Sequence, residues 1–130
     1  MYRNAENQDI IGAAAICCSG INMGNDRSQQ LMPAVKIDYF AISEKYQDVP
    51  FPGTDIEEHF YISDAFLCEL VKEIGKIAES YVGAEYIVLY SVPDAVHFYQ
   101  RNHFLEFEKF MTPEHRTFLD GCTPMYMAFS

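Results

Sequence analysis

Tryptophan is absent from this chain of 130 residues, and basic side chains are few: nine Lys and Arg stand against 19 Asp and Glu, a formal net charge of −10. No cluster of Lys or Arg occurs anywhere. The concentrated basic face that supplies most of the affinity for a duplex or a tRNA is therefore missing, and no nucleic-acid partner is expected. Long apolar runs are missing as well. No stretch approaches the roughly 20 apolar residues that cross a bilayer. The polar start "MYRNAENQDII" has neither the basic segment nor the apolar run of a secretory signal. A cytoplasmic chain without membrane spans is expected. Cys17, Cys18, Cys68 and Cys122 form no CxxC pair, and His59, His97, His103 and His115 show no ligand spacing. No disulfide framework, metal site or thiol nucleophile is predicted.

What is present fits one compact domain over residues 1–130, with 49% hydrophobic residues spread in short runs. "DIIGAAAICC" (Asp9 to Cys18) reads as a strand buried on both faces, and "SGINMGNDRSQQLMP" (Ser19 to Pro33), punctuated by glycine and proline, as a loop. "AVKIDYFAI" (Ala34 to Ile42) alternates, which predicts a strand with Val35, Ile37 and Tyr39 on one side and Lys36, Asp38 and Phe40 on the other. A long irregular segment follows to Tyr61, and a loop of that length in a small domain is usually functional or disordered.

From Ile62 to Ser80 the spacing of Phe66, Leu70, Ile74 and Ile77, with a companion row at Leu67, Val71 and Ala78, predicts a helix. Ser63 is its expected N-cap and Gly83 its stop. Gly75 inside it costs about 1 kcal/mol relative to alanine, which suggests a close neighbour. "EYIVLYS" (Glu85 to Ser91) reads as a central strand, Pro93 opens a short helix ending near Asn102, and strands are expected at Phe104 to Met111 and Thr123 to Ser130. The fold class is thus α/β, with a parallel strand-helix-strand crossover over Ala34 to Ser91. In such units ligands gather beyond the carboxyl end of the first strand, beside the helix N-terminus.

This order, with "VGAEYIVLYSVPDAVHFYQRNHF" at its heart, resembles the GCN5-related N-acetyltransferase superfamily. The family's A-x-x-F-Y-x-x-x-G-F-like segment stands here as Ala95, Phe98, Tyr99, His103 and Phe104, with histidine in the glycine's place. "AVKIDYFAISEKYQ" looks like the family's fourth strand and the start of its pyrophosphate loop, and "CTPMYMAF" like its closing strand. The resemblance spans Asp9 to Phe129. It implies a mixed, mostly antiparallel sheet and an N-acetyltransferase that passes acetyl from acetyl-CoA to a primary amine, in a small molecule or a peptide, by direct attack. Acetyl-CoA would lie along Tyr39, Phe40, Ala41 and Ile42, with Gln47 and the helix start at Ile62, Ser63, Asp64 and Ala65 near its pyrophosphate. Ser91, Ala95, Phe98 and Tyr99 would line the other side.

Tyr99 would be the general acid for the departing thiolate, because a phenol with a pKa near ~10 stays protonated at neutral pH. Glu57 and Glu58 are the candidate bases, with His59 and Asp38 behind them. Asp55, Glu57, Glu58 and Asp64 put carboxylates where a pyrophosphate should sit. The family's first strand and two helices have no counterpart here, and the sheet edge so exposed predicts a homodimer. A non-catalytic remnant that binds acyl-CoA or a protein partner is the alternative reading.

Overall fold

The structure is a computed structural model and describes residues 2–3, 6, 8–24, 31–53, 60–79, 83–113 and 121–129. Among the described residues one sheet has seven strands: β1 (Tyr2–Arg3), β2 (Ile10–Asn22), β3 (Leu31–Ile42), β4 (Tyr86–Ser91), β5 (Leu105–Glu106), β6 (Thr112–Pro113) and β7 (Thr123–Ala128). Their order is β1-β2-β3-β4-β7-β5, with β6 against β2. Among the described strands only β3 and β4 run parallel, and the other pairings are antiparallel. The helices α1 (Ile62–Ile77) and α2 (Val96–Arg101) fall between β3 and β4 and between β4 and β5. A mixed, mostly antiparallel sheet with one parallel strand-helix-strand crossover is therefore present.

β4 is apolar because both of its faces are covered. Ile87 and Leu89 join Val35, Ile37 and Met125 against Leu67, Leu70 and Ile74 of α1. On the opposite face Val88 meets Ile21, Ala34 and Met111. Each large side chain fully buried in this way contributes roughly 1.5–3 kcal/mol relative to exposure.

Several expectations change. The segment read as a loop from Ser19 to Pro33 is largely strand, since β2 runs to Asn22 and β3 starts at Leu31. Pro33 is tolerated because the ladder to β4 begins only at Ala34, so its missing N–H costs no bond there. β2 is not buried on both faces: Ala15, Ile16, Cys17 and Cys18 are exposed. The strand expected over Phe104 to Met111 shrinks to Leu105–Glu106, and the Met111 N–H to Glu108 carbonyl bond turns the chain directly after it.

α1 is capped differently from expectation. Tyr61, not Ser63, is the N-cap residue, and its backbone N–H donates to the Asp64 carboxylate at 2.8 Å. The Ile62 N–H donates to the Val49 carbonyl, tying the helix start to a short neck between Val49–Phe51 and Phe60–Ile62. No close neighbour explains Gly75, because an added Cβ would first meet Phe129 at 3.9 Å.

Alternation along β3 also fails at one place, for a reason that matters below. Ala15 pairs Tyr39 while the next β2 residue, Ile16, pairs Ile37, which leaves Asp38 as an extra residue in β3. A bulge of this kind shifts the side-chain phase by one. Phe40, not Tyr39, consequently joins Val35 and Ile37 on the core face, and Tyr39 is 58% exposed.

Candidate functional site

The bulge at Asp38 begins a wedge in the sheet. β3 and β4 pair from Ala34↔Tyr86 to Ile37↔Leu89 and then part. Beyond that point β3 still pairs β2 as far as Ile42↔Gly12, and β4 still pairs β7 as far as Ser91↔Thr123. Their facing backbone edges, Asp38–Ile42 and Tyr90–Ser91, are released from each other. The close contact at the wedge's outer end needs Gly12, where a Cβ would sit 2.6 Å from the Ala41 carbonyl oxygen. A cavity of about 570 Å³ fills the gap.

Its walls collect most of the residues singled out in the sequence. Tyr39, Phe40, Ala41 and Ile42 line it from β3, Gln47 and Ser63 from the helix-start side, and Ser91, Ala95, Phe98 and Tyr99 from β4 and α2. Asp38 also lines the cavity, paired with Lys36 at 3.1 Å. Ile62 and Ala65 do not line it. Asp64 lines a separate groove between α1 and α2 instead. There Asp64 is 2% exposed and accepts hydrogen bonds from Tyr61 N–H at 2.8 Å, Arg101 at 2.7 Å and Asn102 at 2.8 Å. Its charge is thus spent joining the start of α1 to the end of α2, and it does not face the wedge. Asp55, Glu57, Glu58 and His59 lie outside the described residues.

Tyr99 is fixed by the way α2 ends. Phe104 N–H donates to the Tyr99 carbonyl at 3.0 Å and His103 N–H to the Gln100 carbonyl at 3.1 Å, with His103 at φ +75°. These are the two bonds of a Schellman cap, whose accompanying apolar contact is here the edge-on pair Tyr99 and Phe104, 5.8 Å between ring centroids. His103 therefore adopts a left-handed backbone that a glycine would suit better. Phe98 and Phe40 complete the aromatic floor, with centroids 5.1 Å and 6.2 Å from the Tyr99 ring.

Tyr99 is 8% exposed, and burial pushes its phenol up to about 12. It stays protonated at any physiological pH and is a weaker acid than the sequence implied. The Ser91 hydroxyl is occupied by the Val92 carbonyl at 2.8 Å.

Sequence reasoning missed Asp48, Val92 and Asp94, which also line the cavity. Asp48 carries a signal only in hindsight: at φ +56° it is among the non-glycine residues that tolerate the left-handed region. Among the described residues no group of three or more His, Cys, Asp and Glu could hold a metal ion, and no helix is long and apolar enough to cross a membrane.

No family model matches the sequence, and no curated protein matches it. Eight chains of solved structures do match, among them one described as "Crystal structure of bacterial toxin". It superposes with a TM-score of 0.67 at 18% identity, over 97% of this chain and 64% of that one. The likeness is one of fold, and this chain spans about two thirds of that structure's length.

Proposed function

We propose that the chain is an acetyl-CoA-dependent N-acetyltransferase of the GCN5-related type, acting on a primary amine. The carrying observation is the wedge, where two parted strand edges flank a cavity floored by Tyr99. An extended amide-bearing arm would take the place of the missing strand and pair with the backbone of Tyr39 to Ile42. Its thioester carbonyl carbon would then be attacked by the neutral amine. As the C–S bond breaks, the Tyr99 hydroxyl would hand its proton to the leaving sulfur, and the proton shed by the attacking nitrogen would return through solvent to the Tyr99 phenolate.

The first test follows thiol release from acetyl-CoA over a panel of small primary amines and peptides. Turnover is expected with at least one of them, reduced about 100-fold or more in Tyr99→Phe with donor binding kept. Induction in a bacterial host, wild type against Tyr99→Phe, extends the search to acceptors whose loss stops growth, as the description of the structural neighbour as a bacterial toxin invites. Donor binding without turnover on any amine would favour the second reading, a non-catalytic acyl-CoA binder. The acidic cavity wall is the observation on its side.

A further inference from the structure

A ligand with phosphates is usually held by cations or by free N–H groups at a helix start. The wedge offers little of either. Asp38, Asp48 and Asp94 line the cavity, and among the described residues no Lys or Arg does. Neighbouring cations are already engaged: Lys36 on Asp38 of the wall itself, Lys45 on Asp9 and Arg101 on the buried Asp64. At the start of α1 the Ile62 N–H belongs to the Val49 carbonyl, and Ser63 is the one first-turn residue in the cavity wall among those described. What the wedge does offer is uncharged: the two parted backbone edges and the rings of Tyr39, Phe40, Phe98 and Tyr99.

We infer that the site recognises its donor through the neutral pantetheine thioester arm and gains nothing from the nucleotide. The substrate class is then acyl-pantetheine thioesters at large, of which acetyl-CoA is one. The inference rests on the acyl-transfer reading above. It also fixes the sign of a salt effect. Carboxylates repel a nucleotide's phosphates, salt screens that repulsion, and the screening length falls from roughly 30 Å at 0.01 M to about 8 Å at 0.15 M. Salt should tighten acetyl-CoA, whereas at an ordinary cationic phosphate site it loosens the ligand.

The test is calorimetric titration of the full chain with S-acetyl-pantetheine and with acetyl-CoA, in low and in near-physiological salt. The expected result is dissociation constants within about 3-fold of each other in the higher salt, with acetyl-CoA the weaker ligand in low salt and acetyl-pantetheine unmoved. Acetyl-CoA binding more than about 10-fold tighter than acetyl-pantetheine, or loosening with salt, overturns the inference and leaves the acetyltransferase reading standing. Failure of both ligands to bind at millimolar concentration overturns the two together.

Discussion

The start of α1 separates two acidic neighbourhoods that the chain treats in opposite ways. On one side Asp64 is 2% exposed and saturated by three donors drawn from Tyr61, Arg101 and Asn102. On the other, Asp38, Asp48 and Asp94 stand exposed on the wall of an open wedge. The first arrangement fixes geometry, because a buried carboxylate is tolerable only where its acceptor sites are filled. The second leaves charge in solvent, where it colours a ligand's approach at little cost to the fold. The comparison teaches that acidity near a helix start, read from sequence, says nothing of which side of the helix it serves.

Removing Asp64 should break the closed side. Asp64→Ala strips Arg101 and Asn102 of their shared acceptor and α1 of a capping bond, and is expected to lower stability by about 3 kcal/mol in urea titration. A change under roughly 1 kcal/mol would mean that the network is ornamental.

The next effect sharpens the wedge side. The Tyr99 phenol has its folded pKa raised to about 12 from an unfolded value of 10.0, so its stabilising contribution is complete below pH 10 and is lost as pH rises through 12. Tyr99→Phe should therefore flatten the alkaline limb of stability between those values by about 2–3 kcal/mol. The contribution of Tyr2 would remain, raised first by burial and then by the Glu73 and Glu69 carboxylates, as would that of Lys45, raised by its bond to Asp9. An unchanged limb would place the phenol in water.

The smallest effect concerns the joint between the two sides. His103→Gly relieves the left-handed backbone at φ +75° while loosening the unfolded chain, for an expected net gain of about 0.5–1 kcal/mol in thermal melts. A loss would show that the imidazole itself matters to the cap.

Much of this was legible in the residues. α1 announced itself through Phe66, Leu70 and Ile74 at helical spacing, β4 through an unbroken apolar run, and the last turn of α2 through the pattern from Ala95 to Phe104. The cavity beside the carboxyl end of β3 lies where the crossover alone had put an opening. The hairpin between β2 and β3 was hidden because Gly20 and Pro33 look like loop punctuation, yet they sit opposite each other at a point where neither costs a ladder bond to β4. Asp64 was assigned to the wrong side because its partners Arg101 and Asn102 lie 37 and 38 residues further on, and no local pattern links them.

The bulge at Asp38 left no compositional trace, and it carries a consequence for how the site can be gained or lost. Parity, not chemistry, keeps Phe40 inward and Tyr39 outward. Deleting Asp38 would restore plain alternation from Ile37 through Tyr39 to Phe40, turning neither ring over and taking away only the kink at which β3 leaves β4. The edge of the wedge is thus written into the chain as a count of residues, and a single codon's loss would straighten it while leaving the rings of its wall in place.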